Sequence, residues 1–171
     1  MKRMHGQTLV ELMACLLIGG IMLTSALPAF TSTLQHNQQA QAVNQLLGTL
    51  HYARGSAVMG RKTIALCSGD ALCRSEQAWQ DQLLVFDDRN HNGQLDSGED
   101  LLQQLPMQKG YSWRWSNFRS RPYLQFEADG TTRALNGTLT LCHKDTPATQ
   151  IVINLTGRAR TQAAPRDARC N

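Results

Sequence analysis

Three groups of residues in this 171-residue chain have types and spacings that suit chemistry. The first runs from Asp88 to Glu99 and fits the calcium-loop pattern D-x-[DN]-x-[DN]-G-x5-E. Asp88, Asn90, Asn92, Asp96 and Glu99 would supply side-chain oxygens, joined by the Gln94 carbonyl. An EF-hand needs a helix on each side, whereas these flanks read as strands. Asn92-Gly93 also reads as a hairpin turn in which Asp and Asn cap their own backbone. The turn is the preferred reading, and no cofactor is expected.

The second group is basic: Lys144, Arg158, Arg160, Arg166 and Arg169. Arginine forks hold phosphates bidentately, and each neutralised phosphate releases counterions. The same residues also suit a solvated tail, or contacts with other subunits. The third is a single carboxylate, Glu11, inside the apolar run Leu9 to Leu27. An acid in a membrane segment costs roughly 2.5–3.5 kcal/mol at mid-bilayer and less near the interface, so its presence asks for a function. Enzymatic chemistry has no comparable signal. His5, His36, His51, His91 and His143 are scattered, and no nucleophile elbow, P-loop or HExxH occurs.

Five cysteines add constraints. Cys15 lies in the apolar run and is expected to pack as a small apolar residue. Cys67, Cys73, Cys142 and Cys170 form an even set outside it, which suits two disulfides in an oxidising compartment such as the periplasm. Three pairings are possible. Cys67–Cys73, a short local loop, and Cys142–Cys170, which would tie down the C-terminal tail, are the favoured pair.

The elements that must position these groups begin with a membrane segment. Lys2 and Arg3 precede the run, so the N-terminus should stay cytoplasmic, and Leu9 to Leu27 is long enough for one helical crossing. A secretory signal peptide cut near Thr24 and Ala26 is the alternative. The length of the run and Glu11 both oppose it. Beyond Pro28, Phe30, Leu34, Ala40, Val43, Leu47, Leu50 and Ala57 recur mostly at intervals of three or four, predicting an amphipathic helix to about Gly60. Gly19-Gly20 and Pro28 are places where it can bend.

Strand-like runs follow at Thr63–Cys67, Gln82–Phe86, Asp100–Leu105, Trp113–Trp115, Tyr123–Phe126, Thr138–Cys142 and Gln150–Leu155. Turns are marked at Asp129-Gly130, Asn136-Gly137 and Thr156-Gly157. One long helix followed by strands argues for an α+β domain. Trp113, Trp115, Phe118 and Tyr123 interleave with Arg114, Arg119 and Arg121; aromatics facing the core are the default over base stacking. Charge is uneven. Ala29 to Gln104 carries five Lys/Arg against eight Asp/Glu, whereas Leu105 to Asn171 carries ten against four, so an anionic partner is sought in the C-terminal part.

Gly6-Gln7-Thr8-Leu9-Val10-Glu11-Leu12, followed by the apolar run, resembles the class III leader of type IV prepilins and type II secretion pseudopilins. Tyr52–Val58, Leu66-Cys67-Ser68, Leu84–Asp88, Gly98–Leu102, Leu139–Cys142 and Ile151–Ile153 through Thr156–Arg160 are similar to the GspH/FimT family of minor pilins and pseudopilins, which includes FimU-type pilins. The resemblance implies a type IV pilin fold: a leader over 1–6, a transmembrane and filament-core helix over 7–28, an amphipathic helix over 29–62, and a β-rich domain with a basic tail over 63–171. It implies cleavage by prepilin peptidase after Gly6 and methylation of the new amine of Gln7, although Gln7 stands where the family usually has Phe. Glu11 would then be neutralised by that amine, in its own chain or a neighbour, as subunits dock into a filament. Before assembly the chain would cross the inner membrane once, with its domain in the periplasm; in the pilus it would be extracellular. Gly157-Arg158-Ala159-Arg160 matches the GRxR motif with which FimT-type pilins bind double-stranded DNA in natural transformation. The competing expectation is a GspH-like pseudopilin, or a minor pilin, that primes assembly and touches other pilins only.

Overall fold

The structure is a computed structural model that describes residues 9–170, without the side chains of residues 23 and 25–29. Gly6 and Gln7, the expected processing site, lie outside the described residues. The chain divides into two compact units, one ending at Ala40 and the other beginning at Gln41.

The first unit is helical. It holds the N-terminal part of α1 (Leu9–Gly60), whose helical backbone is unbroken at Gly19, Gly20 and Pro28. Glu11 lies at the start of the described part of this helix. Cys15 is a free thiol and is exposed in the single chain rather than packed. Its neighbours Leu16, Leu17 and Ile18 are exposed too. Among the described residues, no helix is long and apolar enough to cross a membrane; Leu9 to Leu27, read above as a crossing, includes side chains outside that set.

In the second unit the rest of α1 contributes Ala42, Leu46, Leu50, Ala53 and Ala57 to the core. Their spacing of four, four, three and four gives one apolar stripe. Val43 and Leu47 flank it half-buried, so the stripe is centred one residue earlier than the pattern predicted, and Phe30 and Leu34 are exposed. The helix ends in a Schellman arrangement: Arg61 takes a left-handed φ of 51°, and the Lys62 amide donates to the Ala57 carbonyl at 3.1 Å.

Nine strands follow: β1 (Ile64–Ser68), β2 (Ala78–Trp79), β3 (Gln82–Asp87), β4 (Leu101–Pro106), β5 (Tyr111–Asn117), β6 (Leu124–Phe126), β7 (Gly137–His143), β8 (Thr146–Ile153) and β9 (Ala159–Ala163). They form two antiparallel sheets, ordered β4-β3-β1-β6 and β2-β5-β7-β8-β9. Trp79, Trp115, Phe86, Phe126, Leu139, Leu141 and Ile151 are fully buried between these layers and the helix stripe. Seven strands lie where runs were predicted; β2 and β9 were not predicted.

Both disulfides of the favoured pairing are present. Cys67 and Cys73 close a seven-residue loop, with Cα atoms 5.5 Å apart. Cys142 and Cys170 join the end of β7 to the tail across a sequence separation of 28.

Candidate functional site

The Gly157–Arg160 segment turns β8 into the edge strand β9. Asn154 organises the turn. Its carbonyl accepts the Gly157 amide, its amide donates to the Arg158 carbonyl, and its side-chain oxygen accepts from the Arg158 amide at 2.9 Å and the Thr156 hydroxyl at 2.8 Å. Gly157 has φ 74°, a left-handed value that favours glycine, and a Cβ there would sit 2.1 Å from the Gly130 carbonyl oxygen. The turn is therefore pressed against the loop 127–133. The Thr132 amide and hydroxyl extend that contact by donating to the Leu155 and Asn154 carbonyls.

Arg54 of α1 completes the junction. Its Nε donates to the Gly130 carbonyl at 2.9 Å and its Nη2 to the Thr156 carbonyl at 3.2 Å. No role had been read for Arg54 in the sequence. The available signal was a cation between Leu50, Ala53 and Ala57 on the buried stripe, where a charge is tolerated only when its hydrogen bonds are met.

This junction leaves Arg158 and Arg160 exposed at the sheet edge. Arg160 pairs with Val152 in register, and Ile151 and Ile153 on either side are buried, so Arg160 stands on the outward face of the sheet. Neither guanidinium meets a carboxylate among the described residues.

Lys144, Arg166 and Arg169 are elsewhere. Lys144 and Asp145 form the two-residue turn between β7 and β8, at φ 49° and 62°, at the opposite end of β8 from Arg158. The ends of β8, Thr146 and Ile153, are roughly 23 Å apart at about 3.3 Å per residue. β9 runs back toward the Lys144 end, and Cys170, bonded to Cys142, holds Arg169 there. The basic residues that looked like one tail are thus two separate groups.

The Asp88–Glu99 segment is a loop between the antiparallel strands β3 and β4 rather than between helices. Asp88 is fully buried and accepts from the Asn92 and Gly93 amides and the Gln125 side chain. Asn90 and Asn92 both donate to Asp96, and Glu99 accepts from the Arg89 and Asp96 amides. These bonds hold the Asp96 carboxyl below its usual range. The oxygens that would ligate calcium cap the loop's own donors, and among the described residues no three His, Cys, Asp or Glu are grouped to hold a metal ion. Beside the loop, burial of Asp87 opposes its ionisation, but hydrogen bonds from Lys62 and Arg89 outweigh this and keep its carboxyl below the ordinary value.

Of the interleaved aromatics, Trp113, Trp115 and Tyr123 face the core as expected, whereas Phe118 is 89% exposed.

The profile of a family described as "Type II transport protein GspH" matches residues 42–157, and that of the "Prokaryotic N-terminal methylation motif" matches residues 1–27. Two crystal structures of the type IV minor pilin FimU of Pseudomonas aeruginosa strain PAO1 have the same fold. One, at 22% identity and a TM-score of 0.56, covers 77% of this chain and 99% of that one. The other, at 21% and 0.54, covers 79% and 94%. No curated protein matches the chain.

Proposed function

The chain belongs to the GspH family and carries the N-terminal methylation motif of pilin-like proteins, and from that premise we propose that it is a minor type IV pilin that binds double-stranded DNA through Arg158 and Arg160 for uptake in natural transformation. The observation that carries this reading is the GRxR turn. Its backbone is fixed by Asn154, Gly157 and Arg54, and its two guanidinium groups stand in solvent clear of any carboxylate among the described residues. Such groups contact phosphates without reading base sequence. A duplex gripped there reaches Lys144, Arg166 and Arg169 only by running the length of β8.

The test is DNA binding by the full-length chain against Arg158→Ala/Arg160→Ala. The double variant is expected to lose affinity, and the slope of log affinity against log salt should flatten by about 1.8, or about 0.9 per lost phosphate contact. Unchanged binding would refute the placement.

For assembly, prepilin peptidase cuts after Gly6, and the Gln7 amine neutralises Glu11 as subunits dock into a pilus, near its tip. The methylation-motif match over this segment supports that part. The anchor crosses the inner membrane before assembly, with the domain in the periplasm. An intact mass beginning at Gln7 is expected; a start near Leu27 would mean an ordinary signal peptide. Replacing Glu11 by Gln should abolish incorporation into filaments.

Membership of a family described as a type II transport protein favours a second reading, a type II secretion pseudopilin or minor pilin that primes assembly without DNA. A properly processed chain with no salt-sensitive DNA binding would select it.

A further inference from the structure

The end of the five-stranded sheet that carries Arg158 and Arg160 carries three more arginines, brought there by strand register rather than by sequence. Asn117 of β5 pairs with Gly137 of β7, Gly137 with Ile153 of β8, and Ile153 with Ala159 of β9. These four positions lie in one row across the sheet, about 14 Å wide at about 4.8 Å per strand. The loop that leaves β5 at Asn117 holds Arg119 and Arg121, and the loop that enters β7 holds Arg133. The three side chains line a single cleft with Tyr123, Gln125 and Thr132 at its buried base.

The loop carrying Arg119 and Arg121 is built rather than loose. The Trp79 indole donates to the Pro122 carbonyl at 2.8 Å, and the Trp115 indole to the Tyr123 carbonyl at 3.0 Å. The Asn117 side chain closes it by donating to the Arg121 carbonyl and accepting from the Arg121 amide. Arg119 and Arg121 are exposed and form no ion pair among the described residues; Arg133 makes a 3.8 Å contact with Glu127 and lies near Asp129. Glu127, which also lines the cleft, and Asp129 stand on the same loop as Arg133, and with Arg54 of the junction six cations face these two anions.

We infer that Arg119, Arg121 and Arg133 form a second phosphate-binding station, so that duplex DNA lies across the end of the sheet and touches both this cleft and the Arg158–Arg160 turn. The inference rests on the DNA-binding reading given above and names the rest of its surface. Duplex DNA carries one charge per about 1.7 Å of axis, so a row about 14 Å wide faces several phosphates at once. An anchored loop positions its arginines in advance, so little ordering is lost on binding.

The experiment uses the full-length chain in detergent, a labelled duplex, and salt from 50 to 200 mM. With five phosphate contacts the wild type is expected to lose about 500-fold in affinity over that range, and Arg119→Ala/Arg121→Ala/Arg133→Ala about 12-fold, from a slope of about 0.9 per contact. Arg119→Lys/Arg121→Lys/Arg133→Lys, which keeps the charge, should restore the steep dependence and so separates lost phosphate contacts from a damaged fold. If the alanine triple keeps the wild-type affinity and slope while Arg158→Ala/Arg160→Ala loses them, the second station is wrong and the tail reading stands. If the wild type does not bind the duplex at all, both fall together.

Discussion

The five-stranded sheet is closed at one end by a covalent bond and at the other by hydrogen bonds, and both ends carry positive charge. At the first, the Cys142–Cys170 disulfide ties the tail beside the Lys144-Asp145 turn, and Lys144, Arg166 and Arg169 alternate with Asp145 and Asp167. At the second, Arg54, Gly130, Asn154 and Gly157 lock the turn before β9, and the arginines there outnumber their acidic neighbours. A disulfide holds chain segments whatever their side chains do. A hydrogen-bonded junction depends on particular residues, and here those residues adjoin the exposed guanidinium groups. On the proposed DNA-binding reading, the difference separates two jobs that lie together in the sequence: the covalent end would secure the tail, and the hydrogen-bonded end would present charge to the duplex.

The largest expected effect breaks the covalent end. Cys142→Ser/Cys170→Ser releases a closed loop with a separation of 28 residues and should lower stability by about 3–4 kcal/mol on the chain-entropy model. Thermal unfolding measures it. If the ends have separate roles, the salt dependence of DNA binding stays as in the wild type while the midpoint falls. A parallel loss of DNA binding would show that the tail's position matters to the interface.

Next comes Gly157→Ala. The added Cβ meets the Gly130 carbonyl oxygen at 2.1 Å and imposes a left-handed φ on a residue that disfavours it. A loss of about 2–3 kcal/mol is expected from such strain. DNA affinity should fall as well, because the turn that aims Arg158 must shift. Arg54→Ala tests the same junction from the helix side. It leaves the Gly130 and Thr156 carbonyls without their donors, at about 1–2 kcal/mol, and should weaken binding although Arg54 touches no phosphate. Arg54→Lys, with one ammonium in place of a fork, should recover only part of the stability.

These residues also mark where sequence reading stops. The strands β1, β3 and β7 were legible because their cores are buried apolar runs, and the stripe of α1 because its period is helical. The edge strand β9 was not, since Ala159–Ala163 is polar and mostly exposed; it forms through backbone pairing with β8, which leaves no side-chain pattern. β8 was started too late because Pro147 and the Lys144-Asp145 turn look unlike a strand and a hairpin. Pro147 sits beside the bulge that leaves Ala148 of β8 unpaired, where the register shifts between Leu141 and Cys142. That late start concealed the length of β8 and made Lys144 seem a neighbour of Arg158. The GRxR residues were readable as a motif, but Arg119, Arg121 and Arg133 join them only through cross-strand register, which no local spacing encodes.

The smallest effect is one of pH, and it sharpens the contrast between the ends. Asp129 accepts from the Thr131 amide and hydroxyl, and with the charge of Arg133 nearby these bonds hold its carboxyl below the ordinary range. A folded-state value below the unfolded value of about 3.9 means that its contribution is fully present above that value and is lost as pH falls through the lower, folded one. Acidification below pH ~4 should therefore loosen loop 127–133 at the hydrogen-bonded end, while the Cys142–Cys170 bond at the other end is covalent. Amide exchange of Thr131 and Thr132 against that of Cys142 and His143 measures the two ends in one sample. Asp129→Asn should remove most of the acid dependence at Thr131. Equal acceleration at both ends would mean that they open as one unit, and the division of roles between them would then have to be given up.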